Sequence, residues 1–499
     1  NIIQYNEIFC EIIYISISTI SVIIEKLLRS TEVKHIYVLV RQKCGRDINE
    51  RINDIFRDPL FEILKKTKPE VNQVTRVTPI HGDCLLPNFG LSTADRMTLI
   101  ENIDIVIHSA ATVRFNELLS IAVSINVRAT ITIVQLAKQM KKLKAFVHVS
   151  STFANCTVSH IEERFYVDKI GTSAEKMCQM LEVLGAEQFN GMTKELCRDF
   201  PNTYCLTKAL AEEVVLSHAH QLPICIFRPS IVIPTYSEPM AGWIDNLYGP
   251  TSILYGVAYG VLRVIYARVS ANATIVPVDF CVNAILACAW NTSSFDSFVF
   301  CIDSQTEPLI YNLVPDTQNL LKWSEYQRTV EKYGEQMPLS RSIWYPFLIS
   351  TESKFFYALL CFFYHTVPGY VLDFFLLLLG RKRRMVKTYR KIHKQTAMFH
   401  YFAKHEWTFS MENTKQLWQM LSPRDQQLFP FDMCLINWPT YFCNSLRGMR
   451  LYLAKEDPST IPKGIKMYYI MHRALQTIIC GSAALLLYWG LRRLYGIFI

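Results

Sequence analysis

Ile36-Tyr37-Val38-Leu39-Val40 runs five residues without a polar break, and Arg41 closes it. A short β-branched run of this kind reads as a strand buried on both faces of a parallel sheet. Similar runs return at Val74 to Ile80, Ile103 to His108, Ala145 to Val149 and Ile224 to Phe227. Between them lie helical patterns: Asp47 to Lys66, a start at Ser92-Thr93-Ala94-Asp95 that resembles a capping box, Ile121 to Lys141, and the Ala-rich run after Tyr204. Strand and helix alternate about every 30–40 residues, which predicts an α/β fold with a doubly wound parallel sheet of Rossmann-like type. Ligands of such sheets sit beyond the C-terminal strand ends. The residues there are Arg41 and Lys43, Asp83, Ala110 and Ala111, Ser150 and Ser151, and Arg228, Pro229 and Ser230.

Pro201-Asn202-Thr203-Tyr204-Cys205-Leu206-Thr207-Lys208 places a phenol and an ammonium four residues apart at the start of a helix. That spacing puts both on one face. A nearby ammonium stabilises the phenolate and is expected to lower the Tyr204 pKa, making it a usable acid for a carbonyl oxygen that receives a hydride. With 25 Tyr in the chain, about one or two such pairs arise by chance, so the strand-end residues carry the weight. The plain alternative is a surface Lys over a half-buried Tyr.

The 499 residues exceed one ordinary domain. Hydrophobic residues make up 50 % and mean hydropathy is +0.14, as suits a folded core with membrane-contacting segments. The net charge is +9, but Arg381 to Lys394 alone holds eight Lys or Arg and no acid. This run follows an apolar stretch, which favours an anionic membrane face over nucleic acid. Fifteen scattered Cys without a Cys-x-x-Cys motif point to reduced thiols facing the cytosol, and to neither a metal site nor a disulfide framework. The N-terminus has no basic leader and no small-residue cleavage site, so an ordinary signal peptide is not expected.

Tyr357 to Leu379 is strongly apolar, but Pro368-Gly369 and Asp373 interrupt it. It reads as a broken pair of amphipathic helices lying on, or dipping into, a membrane. Residues 474–493, closed by Arg492-Arg493, read as a short C-terminal transmembrane anchor. The expected organisation is a catalytic Rossmann-like domain over 1–330, membrane-associated helices over 331–400, a small helical domain over 401–460, and the anchor.

Longer motifs give a resemblance. Glu25 to Ser30, Ile36 to Arg41, Ala110-Ala-Thr-Val-Arg-Phe115, Lys144 to Ser150, Pro201 to Glu212, Arg228 to Pro234 and Gly242 to Pro250 resemble the alcohol-forming fatty acyl-CoA reductases, most closely the insect type. Glu406-Trp-Thr-Phe409 and Phe431 to Trp438 extend the likeness. These are extended short-chain dehydrogenases. The resemblance implies reduction of long-chain fatty acyl-CoA with two NADPH, through an aldehyde, to a primary alcohol. It implies Tyr204 as proton donor, Lys208 as the residue that holds the ribose and lowers the Tyr pKa, and Ser151 (or Ser150 or Thr152) as the residue that bonds the carbonyl oxygen. It also implies Arg41 and Lys43 at the 2′-phosphate of NADPH, Asp83 at the adenine, Ala110 and Ala111 along the cofactor, and Arg228, Pro229 and Ser230 at the nicotinamide end. A membrane site facing the cytosol, in the endoplasmic reticulum or peroxisome, goes with it.

One feature departs from the family. A Gly-x-x-Gly-x-x-Gly turn should fall at positions 14, 17 and 20, which here are Tyr14, Ile17 and Ile20; the first Gly is Gly45. Glycine lets backbone amides close on a pyrophosphate, and Ile does not. The segment is expected to bind NADPH poorly. Residues 1–21 could stand in place of the usual first strand and turn, as the abrupt start of the likeness at Val22 favours. The alternative is a membrane-bound, non-catalytic acyl-CoA-binding relative. Another extended short-chain dehydrogenase, such as a sterol dehydrogenase, is disfavoured by Gly242 to Pro250 and by 406–455.

Overall fold

The computed structural model describes residues 7–12, 17–42, 45–69, 73–294 and 307–495. Seven strands build one parallel sheet: β1 (Glu7–Ile12), β2 (His35–Val40), β3 (Val77–His81), β4 (Ile105–His108), β5 (Ala145–Val149), β6 (Ile224–Pro229) and β7 (Ile310–Leu313). Their order is β7-β6-β5-β4-β1-β2-β3. The order reverses between β1 and β4, and that switch opens a crevice at the strand C-termini. β4, β5, β6 and β7 are buried at every position, as suits parallel strands covered on both faces.

Five helices cover this sheet: α1 (Ile17–Ser30), α2 (Ile48–Phe56), α3 (Leu119–Ala137), α4 (Thr203–His218) and α5 (Val278–Ser294). α3 is apolar enough to cross a membrane but is mostly buried, so it is a core helix. It passes through a π turn at Val123–Arg128. α4 is started by Asn202, whose side chain accepts from the Cys205 amide at 2.9 Å.

The first strand corrects an expectation. Glu7–Ile12 occupies the first-strand place, paired over six residues with β2 and over three with β4. Residues 1–21 thus supply a first strand of their own, without the family's glycines. Glu7 and Glu11 break the apolar run that marks the other strands, so it went unread in the sequence. Tyr14 lies outside the described residues. Ile17 opens α1, and Ile20 is buried within it.

The chain forms two compact units, and neither is continuous in sequence. The first joins Asn1–Asn246, Asn272–Leu321 and His405–Tyr441. The stretch 401–460 is thus divided rather than one small domain. Its earlier part is sewn to the sheet unit: the Asn413 amide donates to Glu163 Oε2 at 2.7 Å, and Thr408–Phe409 pairs with His160–Ile161. The second unit joins Leu247–Ala271, Lys322–Lys404 and Phe442–Ile499. It holds α6 (Lys354–Leu378), α7 (Met385–Lys404) and α8 (Ile461–Tyr495). Pro368 and Gly369 do not break α6. A π turn at Phe362–Thr366 leads into Pro368, which falls in the first turn of the α-helical segment beyond it, where its missing N–H costs little.

Candidate active site

The sheet edge at β4, β5 and β6 brings Ser151, Tyr204 and Lys208 together. β5 ends at Val149; the Ser150 amide donates to the Phe227 carbonyl at 2.8 Å, and the chain then turns. The Ser151 hydroxyl accepts from the Phe153 amide at 3.2 Å, which caps the short turn Thr152–Asn155. The same side chain stands beside the Tyr204 phenol and acts to lower its pKa. Phe115, from the loop after β4, packs on the Tyr204 ring with centroids 5.8 Å apart.

Ser150 has a different task. Its hydroxyl donates to Glu212 Oε1 at 2.5 Å, so Ser151 is the strand-end Ser that reaches Tyr204. Tyr204, Lys208 and Glu212 stand four apart on α4 and form a stripe facing the sheet. Glu212 is held further by Asn155 and by Arg228, and Arg228 also donates to the Glu162 and Arg164 carbonyls at 3.0 and 2.9 Å. Arg228 is fully buried. Every donor nitrogen of its guanidinium is thereby engaged, so it braces the sheet end instead of lining a nicotinamide. Ser230 likewise donates to the Thr274 carbonyl.

The charges differ from the expectation for the Tyr–Lys pair. Lys208 Nζ donates to the Val149 carbonyl at 2.8 Å. Burial depresses the Lys208 ammonium to about 8, with Glu212 working the other way. Tyr204 is half-buried, and desolvation raises its phenol above the ordinary value; the bond from Ser151 opposes that rise. His148, fully buried on β5 and also pushed down by desolvation and then by the Lys208 charge, has no partner for either ring nitrogen among the described residues.

The cofactor end lies across the switch. Ala110 and Ala111 follow β4, both buried and small. The Thr112 amide donates to Asn126 Oδ1 at 2.8 Å, and Asn126 Nδ2 donates to Thr207 Oγ1 at 2.9 Å, which ties this loop to α4. Arg41, beyond β2, stands 3.6 Å from Asp83 beyond β3. Sequence reading missed Arg51. On α2, its guanidinium donates to the Arg41 carbonyl, and its pKa is lowered by burial and then by the Arg41 charge. Its helical spacing gave no sign of this. Lys43 lies outside the described residues.

These residues fit a nicotinamide dinucleotide at both ends. Two guanidinium groups converge at the β2 end, and small side chains leave backbone open at the β4 end. Ile17 and Ile20, both within α1, stand where the family's sequence has glycine.

A sheet of this order with a Tyr–Lys–Ser edge defines a nicotinamide-dependent reductase of the short-chain type. Residues 21–285 and 364–456 match two families, each described as Male sterility protein. The chain is 45 % identical over 470 residues to Fatty acyl-CoA reductase wat of Drosophila melanogaster, covering 94 % of this chain and 89 % of that one. It is 37 % identical to Fatty acyl-CoA reductase 2 of Mus musculus, covering 92 % and 88 %. The chain belongs to the fatty acyl-CoA reductase family. In fold it is similar to the reductase domain of a nonribosomal peptide synthetase from Mycobacterium tuberculosis, with TM-score 0.58, 16 % identity, and 90 % and 92 % of the two chains covered.

Proposed function

We propose that the chain reduces long-chain fatty acyl-CoA to a primary alcohol through an aldehyde, consuming two NADPH. The observation that carries this is the meeting of Ser151 and Tyr204 at the sheet edge, with Lys208 one turn along α4 and bonded to the β5 end. Bound NADPH supplies the hydride. Ser151 and Tyr204 hold the substrate carbonyl oxygen and stabilise the charge that develops there. In the first round the tetrahedral carbon expels the CoA thiolate, which leaves as CoA after taking a proton. In the second, Tyr204 gives its proton to the aldehyde oxygen, and the phenolate regains one with Lys208 nearby. Arg41 and Arg51 favour the 2′-phosphate, and Asp83 faces the adenosine side, while Pro229 and Ser230 lie at the β6 end.

The chain is membrane-bound with its sheet unit toward the cytosol, at the endoplasmic reticulum or peroxisome. What supports this is the row of exposed apolar side chains on α6, such as Phe363, Tyr370 and Phe374, and the exposed Leu485, Leu487, Trp489 and Leu491 at the end of α8, which we read as a C-terminal anchor.

The test is alcohol formation from radiolabelled acyl-CoA and NADPH by membranes carrying the chain, beside Tyr204→Phe. Alcohol from the first and none from the second supports the reading. Acyl-CoA binding without NADPH-dependent turnover would favour the non-catalytic binding relative, for which Ile17 and Ile20 in place of glycine speak.

A further inference from the structure

α6 carries a side chain that a membrane crossing would not place there. Asp373 stands near its C-terminal end, almost wholly buried. Its carboxylate accepts from the amides of Arg384 and Met385 at 2.8 Å and of Val386 at 3.0 Å. Those are the orphan donors at the start of α7. Gly380, at φ +68°, turns the chain between the two helices, and Asp373 clamps the return.

From that clamp α7 runs back along α6. A Cβ on Gly369 would stand 3.0 Å from the Tyr389 ring, so the glycine admits that ring. His365 Nδ1 meets His393 Nε2 at 2.9 Å, and the Tyr357 ring meets His400 at 5.4 Å. One position falls as the other rises, so the helices are antiparallel arms of one hairpin. Cys361 lies beside the two His, making the one grouping among the described residues that could hold a metal. His365 Nε2 accepts the Arg263 amide at 3.0 Å, which puts the proton of a neutral ring on Nδ1, toward His393. No lone pair is left there for an ion.

The two arms differ in what they expose. α6 shows Phe355, Phe363, Tyr370, Phe374 and Leu378, each more than half exposed. α7 shows Lys387, Arg390, Lys391 and Lys394, and the turn shows Arg381 to Arg384. If α6 crossed a bilayer, α7 would be carried with it, and its charged side would enter hydrocarbon. Crossing without α7 would tear Asp373 from three amides.

We propose that α6 and α7 form a one-sided hairpin lying in the plane of an anionic leaflet, with the α6 face in the acyl boundary and the Arg381–Lys394 charges on the headgroups. Both ends of α6 are then on the same side. The inference rests on the membrane association proposed above but not on catalysis.

The chain offers its own probes, because Lys354 and Lys382 are exposed at the two ends of α6. Full-length protein in sealed vesicles of phosphatidylcholine with phosphatidylserine is treated with a membrane-impermeant amine reagent and mapped by mass spectrometry. Equal labelling of Lys354 and Lys382, before and after permeabilisation, is expected. Protection of one and not the other would overturn the proposal. A lipid-borne diazirine in the same vesicles should label Phe363, Tyr370 and Phe374 and spare the exposed α7 side chains. Absence of label on α6, or equal label on both arms, would also overturn it. Replacing Arg381, Lys382, Arg383 and Arg384 by Glu should cut the α6 label about tenfold in these vesicles and leave it unchanged in phosphatidylcholine alone. Loss in both lipids would count against headgroup recognition. None of these readouts depends on alcohol formation.

Discussion

Arg228 and Glu212 form a two-pronged buried ion pair, Nε to Oε1 at 2.8 Å and Nη2 to Oε2 at 2.7 Å. It joins β6 to the face of α4 that carries Tyr204 and Lys208. Removing one member leaves a buried charge without its partner, so Arg228→Ala should cost about 3–5 kcal/mol in chemical denaturation. Arg228→Lys should recover little, because an ammonium cannot fork across a carboxylate. A stability loss within about 1 kcal/mol would show that the pair is not a brace.

Ser150 and Ser151 are adjacent but should fail differently. Ser151→Ala removes a hydroxyl placed beside the Tyr204 phenol, and kcat should fall about 10²–10³-fold with little change in unfolding midpoint. Ser150→Ala strips a hydrogen bond from buried Glu212 and should lower stability by about 1–3 kcal/mol. Turnover and denaturation measured on both variants separate the roles, and interchanged outcomes would reassign them.

Lys208 predicts a pH signature. Its folded pKa, about 8, lies below that of an unfolded lysine, so the unfolded chain binds more protons between about 8 and the ordinary value of 10.5. Stability from this group therefore rises with pH through that window and is least below it. Activity goes the other way, because the ammonium is lost as pH passes about 8. In Lys208→Met the stability slope above pH 8 should flatten and turnover should collapse. An unchanged slope would mean that Lys208 does not titrate there.

Arg41 and Arg51 should set the choice of NADPH over NADH. Arg41→Ser and Arg51→Ser should each raise KM for NADPH about tenfold and leave KM for NADH nearly unchanged. Equal effects on both cofactors would place the two guanidinium groups elsewhere than at the 2′-phosphate.

Ile20 is buried in α1, so a glycine there both opens a cavity and weakens the helix. Ile20→Gly should cost about 3–5 kcal/mol by denaturation. NADPH titration by fluorescence on the same variant tells whether opening the turn improves binding. No loss of stability would mean that the side chain is not part of the core.

The repeat of apolar strands, the Tyr204–Lys208 spacing and the strand-end residues were legible in the sequence. The period of a buried parallel strand and of a helix face is local, and it survives without knowledge of the partners. The basic run after an apolar stretch was legible for the same reason. Where a side chain at a strand end points was not. Arg228 and Ser151 both follow apolar runs, yet one is sealed under Glu212 and the other meets Tyr204. That difference comes from α4, more than fifty residues from Ser151 in sequence. β1 escaped notice because Glu7 and Glu11 spoil its pattern, and only the backbone pairing with β2 and β4 reveals it. Arg51 shows nothing in its own helix and acts through a carbonyl ten residues away. Asp373 read as a flaw in an apolar stretch until the amides of α7 came to its carboxylate. Long-range hydrogen bonds and burial assign such residues, and only the folded chain supplies them.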